Sequence, residues 1–457
     1  MATSAAVRSA SRLSFGLVLT FYQRDPAYAL GLAAISAHAK RVHPDVRVHL
    51  VPIFRDDDVE KIVRLVDELE PDLLGVSAMA PTWLPLDPYL RALKRARPDV
   101  PICVGGYQAI VSPEETLAHD AVDFVCVGDG EEPVAELIAY LCGRRAGAAP
   151  IAGLWEKTAD GTVVRTPPWL VRDLTALPFP DYTIFERDGD VRYLSPHAVE
   201  SKRLMTLPVL SGRGCPYRCS YCANTTLLDL FGGRGGLLRK HEPEPLLKEL
   251  ARLRARYDVE FFQFWDEEFL YDARYVRRLL GAYRDTVGVP FSMFARPDTM
   301  RDDLCSFAAA AGCHSMWVGI ESGSDTYRRQ FLNRRTPNAA LLAAVATARR
   351  HGIKCMAFSM VGLPFETRAQ AEETLALVRS LAPELAIFSQ FVPLPGTPLY
   401  ELCRRHDLLL PASVDHQMWP IGRLNIKEHP GGMTSAEMAT MAAAIMDYLE
   451  THTRVDA

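Results

Sequence analysis

The sequence predicts an α/β protein of two successive units: a doubly wound parallel sheet, then a partial barrel of six strand-helix repeats, followed by a short helical C-terminal region. Three observations lead there. Short continuous runs of Val, Ile, Leu and Phe alternate with amphipathic stretches over residues 13–143, and a second such series starts at Leu207. A glycine-, proline- and polar-rich interruption, residues 144–204, separates the two. Apolar runs that lack period-2 alternation, each followed by a helical pattern, mark parallel strands covered on both faces.

The 457 residues are 48% hydrophobic and 23% charged, enough for two or three full-sized cores. A net charge of -5 leaves no basic surplus for phosphate backbones or anionic membranes, so neither nucleic acid nor a membrane is an expected partner. No apolar run approaches the ~20 residues that span a bilayer, and a cytoplasmic location is expected. Arg8, Arg12 and Arg24 in an acid-free start faintly resemble a transit peptide, but a short disordered tail to about Arg12, leading into the first strand, is the better reading.

In the first unit, residues 1–143, the strand-like runs are LSFGLVLT, VRVHLVPI, LLGVSAM, PICVGG and DFVCVG, with helical stretches such as residues 59–69 between them. This is a five-stranded, Rossmann-like sheet. Such sheets bind ligands at the carboxyl ends of their strands, here residues 20–25, 77–83, 105–109 and 128–131. Residues 144–204 read as a connection carrying a hairpin, LWEKTADGTVVRT, that turns at Asp160-Gly161.

Over residues 205–400, LPVLSGRG, VEFFQFWDEE, PFSMFARPD, SMWVGIESG, KCMAFSMVGLP and LAIFSQFVPLPGT head six units, with helical patterns such as residues 243–257 and 340–351 after them. Right-handed strand-helix units curl toward a barrel whose chemistry sits where the strands end. Residues 401–457 form the C-terminal region. Its stretch 434–451 reads as one Ala- and Met-rich helix capped by Ser435, with its methionines as packing.

Ten cysteines in a reducing compartment are expected to be free. Cys103, Cys126, Cys142, Cys305, Cys313, Cys355 and Cys403 stand singly among apolar neighbours. Cys215, Cys219 and Cys222, in GRGCPYRCSYCAN, do not. Their i, i+4, i+7 spacing would suit one helix face, but Gly212, Gly214 and Pro216 make a tight exit from the first barrel strand where no regular helix is expected. Structural zinc wants four ligands, and no fourth cysteine or histidine lies within the usual spacing. Three thiolates leave a metal position open, as in a cubane iron-sulfur cluster with one iron free for an exchangeable ligand.

This Cys-x-x-x-Cys-x-x-Cys spacing after the first barrel strand, with Tyr221 before the last cysteine, resembles the signature of radical S-adenosylmethionine (SAM) enzymes. The resemblance implies a [4Fe-4S] cluster on Cys215, Cys219 and Cys222. Its open iron would chelate the amino and carboxylate groups of SAM and deliver the electron that yields methionine and a 5′-deoxyadenosyl radical. An external one-electron reductant such as flavodoxin or ferredoxin is implied as well. Further motifs follow in order. Asp266, Glu267 and Glu268 in FWDEEF offer an acceptor for the SAM ammonium group, where the family commonly shows Gly-Gly-Glu; which carboxylate binds is open. Arg296 in ARPD pairs either with the methionine carboxylate or with Asp298. Glu321 in GIESGS resembles the ribose- or amino-contacting position, between Gly319 and Gly323, which would let backbone approach a ligand. Gly362 lies in VGLPFET, which resembles the adenine-binding strand end, with Phe365 where a glycine is usual. PLPGTPL completes the pattern or is a proline-rigidified turn. The cluster Arg328, Arg329, Arg334 and Arg335 reads first as a solvated helix face, and otherwise as a means to orient an anionic substrate.

A doubly wound unit ahead of such a barrel resembles the cobalamin-binding radical SAM subgroup, with GGYQAIVSPEETL, VDFVCVGDGEEPVAEL and LPFPDY at comparable places. That resemblance implies cobalamin beside Gly105, Gly106, Tyr107, Gln108, Gly128, Gly130 and Glu131, the glycines letting a corrin pass close to the sheet edge. No Asp-x-His-x-x-Gly occurs, so no histidine is set to ligate cobalt from below, and Tyr107-Gln108 stands where the subgroup often has a histidine. The implied activity is methyl transfer to an unactivated carbon or phosphorus of a small metabolite or natural-product intermediate. Radical rearrangement, cyclisation or ring contraction is the alternative, and a non-catalytic cofactor-binding module is a third reading.

Overall fold

Strand β1 (Phe15–Gln23) is apolar on both faces, and Phe15, Leu17, Val18, Leu19 and Phe21 are all buried. Such a strand needs neighbours and cover on every side. In the computed structural model of the protein, which describes residues 14–23, 29–145, 149–158, 160–186, 191, 204–231, 238–411 and 421–452, it lies inside the first sheet. The expected tail to Arg12 lies outside the described residues. Helix α1 (Leu30–Val42) leads to β2 (Val46–Phe54), which pairs with β1 on one side. Helix α2 (Val59–Glu68) starts where the Asp58 carboxylate accepts the Lys61 N–H at 2.8 Å, and it buries Ile62 and Val66. Strand β3 (Leu73–Ser77) then pairs on the other side of β1. Helix α3 (Trp83–Ala96), β4 (Ile102–Gly105), α4 (Tyr107–Val111), α5 (Pro113–Ala118), β5 (Phe124–Cys126) and α6 (Glu131–Leu141) complete five parallel strands in the order 2-1-3-4-5. The order reverses between β1 and β3, where such sheets open a ligand crevice at the carboxyl ends.

The hairpin, β6 (Leu154–Lys157) and β7 (Val163–Val164), is not a free connection: β6 pairs antiparallel with β5 and extends the sheet to seven strands. Pairing satisfies an edge that would otherwise expose a row of backbone donors and acceptors. The chain divides into two compact units, Met1–Pro196 and His197–Ala457.

In the second unit, β8 (Thr206–Val209) runs into a short antiparallel pair, β9 (Gly212–Arg213) and, beyond α7 (Ala223–Leu230), β10 (Arg239–Lys240). Then come α8 (Pro243–Tyr257), β11 (Phe261–Phe264), α9 (Ala273–Thr286), β12 (Phe291–Ala295), α10 (Asp302–Ala310), β13 (Cys313–Glu321), α11 (Asp325–Gln330), α12 (Asn338–Arg350), β14 (Lys354–Val361), α13 (Arg368–Leu381) and β15 (Leu385–Gln390). The six strands β8, β11, β12, β13, β14 and β15 pair in parallel and in chain order. Phe264 and Phe291 turn outward and meet Tyr283 of α9 edge-on at 6.1 and 4.8 Å. Each such buried ring contributes about 4 to 6 kcal/mol as an upper bound.

Helix α14 (Pro398–Arg405) follows, and α15 (Ser435–His452) buries Met438, Met441, Ile445 and Tyr448 in one core with Val361, Phe388 and Phe391, so the methionines do serve packing. The cap of α15 is Thr434 rather than Ser435. The Thr434 hydroxyl accepts the Glu437 N–H at 3.2 Å and the Glu437 carboxylate accepts the Thr434 N–H at 2.8 Å, while the Ser435 N–H goes to Glu428. Among the described residues no helix is long and apolar enough to cross a membrane.

Candidate active site

Between β9 and α7 the chain is a loop: Gly214 turns at φ +90°, and helix begins only after Cys222. The three cysteines therefore do not share a helix face. Cys215 and Cys219 are buried and Cys222 half-buried. Burial pushes the Cys215 thiol up to about 12 and the Cys222 thiol up to about 11; neighbouring thiols add to this, while the N–H groups of Tyr217 and Asn224 oppose it. The loop is fastened from two sides. Ser220 donates its N–H to Leu332 O at 3.2 Å and its hydroxyl to Phe331 O, and Asn333 Nδ2 donates to Arg218 O at 2.7 Å. Opposite, Leu399 N–H donates to Ser220 O and the Thr226 hydroxyl to Gly396 O, both at 2.9 Å. PLPGTPL is thus a turn whose job includes holding the cysteine loop.

Glu321 ends β13 in the left-handed region, φ +68°, at a register shift against β14. That conformation costs a non-glycine residue roughly 1–2 kcal/mol. The bend lays its carboxylate over Gly319, where an added Cβ would come within 2.6 Å of Glu321 Oε1. Arg334, 4% exposed, closes over the pair. Its Nη1 lies 3.4 Å from Glu321 Oε1 and 3.2 Å from the Tyr221 hydroxyl, and its Nη2 donates to Gly319 O at 2.7 Å. Two expectations change here. Gly319 accommodates Glu321 itself, and Gly323 accommodates α13, whose Glu373 and Thr374 would meet its Cβ. The arginine cluster is not a solvated helix face either. Arg329 and Arg335 are exposed, but Arg328 is buried on Ser322 O, Asp325, Thr336 O and Asn338, and Arg334 is buried as described. Helix α11 ends at Gln330, so residues 334 and 335 belong to no helix face.

The three carboxylates after β11 differ by environment. Asp266, 1% exposed, accepts the Ser211 N–H at 2.8 Å, the Ser211 hydroxyl at 2.5 Å and Lys240 Nζ at 2.8 Å. Both its oxygens are engaged within the fold, by Ser211 and Lys240. Glu268, also 1% exposed, accepts the Thr299 hydroxyl at 2.8 Å, and burial raises its pKa. Glu267 is exposed, with Oε2 accepting the Gly214 N–H at 3.1 Å beside Cys215. Arg296 does pair with Asp298, at 3.1 Å, but also lies 3.7 Å over the Tyr217 ring and donates to Cys219 Sγ at 3.3 Å. A cavity of about 490 Å3 opens there, lined by Tyr217, Arg296, Asp298, Asn333 and Arg335 among others.

In VGLPFET, the N–H groups of Gly362 and Leu363 donate to Glu366 Oε2 at 2.8 and 3.2 Å. Phe365 occupies the left-handed conformation, φ +62°, that a glycine adopts freely. Its ring stacks on Phe331 at 5.9 Å and lies 4.4 Å from His429, whose Nε2 accepts the Phe365 N–H at 3.1 Å. The C-terminal region therefore covers this turn, and a Cβ on Gly362 would meet Leu424 at 3.3 Å. Glu366 is fully buried, its Oε1 has no partner among the described residues, and burial raises its pKa from 4.5 to about 8. A carboxyl raised on folding contributes stability below its unfolded pKa of 4.5 that is lost as pH climbs through about 8. Glu366→Gln keeps an oxygen for the two N–H groups and cannot ionise. Thermal melts should show the wild type weakening between pH 5 and 9, and the variant holding its melting temperature, with an advantage at the alkaline end of up to roughly 4 kcal/mol. Parallel curves would place the ionisation elsewhere.

The sequence profile of the Radical SAM superfamily matches residues 209–378, and that of the B12 binding domain matches residues 18–138. The chain belongs to the cobalamin-binding radical SAM enzymes. A Pyrococcus horikoshii protein named as an uncharacterized methyltransferase is 27% identical over 384 residues, 83% of this chain and 79% of that one. An anaerobic magnesium-protoporphyrin IX monomethyl ester cyclase of Rubrivivax gelatinosus is 24% identical over 75% of this chain and 60% of its own length. Among solved structures, the fold matches the radical SAM methyltransferase TsrM of Kitasatospora setae with cobalamin and a [4Fe-4S] cluster bound, at a TM-score of 0.66 and 19% identity, over 85% of this chain and 78% of that one.

The donor set of this radical SAM enzyme fits such a cluster. Among the described residues no group of three or more His, Cys, Asp or Glu is arranged to hold a metal ion. Three cysteines on one loop, with no fourth cysteine or histidine within the usual zinc spacing, suit a cluster that offers a separate iron to each thiolate. In the first unit, Met79 and Leu84 after β3 are 48% and 41% exposed beside the switch point, an apolar surface that a corrin face would cover. The glycines expected to admit the corrin have a nearer cause. A Cβ on Gly106 (φ +86°) would meet Ala78 O at 2.6 Å, one on Gly128 (φ +114°) would strike Trp169 O, and one on Gly130 would meet Ile35 Cδ1 at 2.8 Å. Gly105 has ordinary room. Tyr107, Gln108 and Glu131 are buried.

Proposed function

We propose that this enzyme transfers a methyl group to an unactivated carbon or phosphorus of a small metabolite or natural-product intermediate. The observation that carries the reading is a cysteine loop clamped at the barrel strand ends beside Glu267, Arg296 and Glu321, in a chain that also has a B12 binding domain. Cys215, Cys219 and Cys222 hold the [4Fe-4S] cluster. Glu267 accepts the SAM ammonium group, Arg296 takes the carboxylate, Glu321 meets the ribose with Arg334 and Tyr221 fixing it, and the Gly362 turn borders the adenine. When bound, the cluster supplies the electron for SAM cleavage and cobalamin carries the methyl group. The chain's own residues orient these groups and keep water away from them. A small one-electron carrier such as a flavodoxin or ferredoxin feeds the cluster.

The relative named as a methyltransferase supports this reading; the cyclase relative favours a second, ring closure without gain of a methyl. Anaerobic production with cobalamin supplied, desalting and assay for corrinoid, iron and sulfide separates them together with product mass. About one corrinoid and one four-iron cluster per chain, with a product heavier by a methyl, is the expected result. A cluster without corrinoid, or a product of unchanged methyl count, would sink methyl transfer.

A further inference from the structure

The barrel sheet has two unlike faces. On β15, Ala386, Phe388 and Gln390 turn toward the helices and are buried, whereas Leu385, Ile387 and Ser389 turn toward the barrel axis and are only half-buried. On β14, Phe358 and Met360 of the same inner face are half-buried too. A closed barrel fills its lumen with side chains. This one leaves apolar inner surface uncovered. Across it, Phe294, Trp317 and Phe358 from three adjacent strands come together: Trp317 and Phe358 at 5.2 Å and 29°, Phe294 and Phe358 at 5.9 Å and 19°, Phe294 and Trp317 at 5.9 Å and 42°. Phe294 sits opposite Trp317, and Phe358 opposite Gly319, so the three rings share a face with Gly319 and Glu321 at the strand ends. Buried Ser292 and Ser315 lie below on the same face.

The orientation of the rings is informative. Outward-facing Phe264 and Phe291 meet at 88°, the edge-on arrangement by which rings fill a core among themselves. The inner three are closer to parallel; Trp317 is buried, while Phe294 and Phe358 are only half-buried and keep part of their surface for a flat guest. No charge is carried by the three rings, and Glu321 with Arg334 stands at the rim where a polar end of the guest would emerge.

We propose that Phe294, Trp317 and Phe358 form the specificity wall of this site and take a flat, conjugated part of the substrate lying parallel to the rings. The word substrate rests on the proposed methyl transfer; the binding does not. Ligand-observed NMR on the full chain, loaded with cluster and SAM, can compare 2-naphthol with decahydro-2-naphthol, which share a skeleton and a hydroxyl but not flatness. The flat alcohol should bind about tenfold more tightly, and Phe358→Leu, which keeps an apolar side chain, should weaken it about fivefold while SAM affinity stays within about twofold. Equal binding of the two alcohols, no binding of 2-naphthol, or an equal loss of SAM affinity in Phe358→Leu each overturns the proposal, the last because the rings would then belong to the SAM pocket. A protein that prefers 2-naphthol yet makes no methylated product keeps the wall and loses the methyl-transfer reading; the reverse loses the wall alone.

Discussion

Cys219→Ala is expected to give a folded protein that no longer assembles a full cluster and forms no detectable 5′-deoxyadenosine from SAM. The loop should survive the change, because its fastenings run through the backbone and hydroxyl of Ser220, the N–H of Leu399 and the hydroxyl of Thr226, not through the sulfur. Among the described residues the sulfur itself receives only Arg296 Nη1, at 3.3 Å, from an arginine that keeps Asp298 and the Tyr217 ring as partners. Loss of a small buried side chain then costs about 1 kcal/mol. Cys305→Ala is the matched control: a fully buried thiol on α10, far along the chain from the loop, with the same loss of volume. It should lower the melting temperature by a similar amount and leave iron content and SAM cleavage intact. Iron and sulfide assay, visible absorption and deoxyadenosine yield read both variants. If Cys219→Ala kept full iron and cleaved SAM, the three-cysteine assignment would be wrong, and a structural role for these thiols would return.

The architecture was legible because parallel strands covered on both faces write themselves as continuous apolar runs, and the cysteine spacing is a local signature. What the sequence hid depends on contacts between distant segments. Asp266, Glu267 and Glu268 are indistinguishable as letters; Lys240 and Ser211, brought in from other elements, consume the first and leave the second open. Arg334 looked like one charge among four because its role is created by the left-handed bend of Glu321, and no residue type announces such a bend when it is not a glycine. The same reasoning explains Phe365, held in a glycine's conformation by Phe331 and His429. In the first unit the glycines have causes inside the fold that the sequence does not show. Gly106 and Gly128 were visible, but the atoms that require them, Ala78 O and Trp169 O, belong to the protein.

Arg334→Met should be the most damaging single change at the strand ends. The substitution keeps most of the volume and removes the cation together with its hydrogen bonds. Glu321, whose side chain is 15% exposed, would lose the guanidinium beside it, Gly319 O would lose a 2.7 Å donor, and the Tyr221 hydroxyl would lose a neighbour at 3.2 Å. Removing one partner of a buried pair costs about 3 to 5 kcal/mol, mostly through the charge left behind. Chemical unfolding should show that loss, and SAM affinity should fall with it, because the bend of Glu321 is strained and has Arg334 as its clamp. Glu321→Gln alone removes the charge and keeps the shape. Added to Arg334→Met it should recover about 1 to 3 kcal/mol of stability, since no uncompensated carboxylate then remains. It should not recover SAM binding, because the ribose contact proposed for Glu321 is made by the carboxylate. Strictly additive stabilities would mean that the backbone holds the bend unaided and that Arg334 reports only on Gly319 and Tyr221. Recovery of both stability and SAM affinity would remove Glu321 from the binding site and leave the pair a purely structural one.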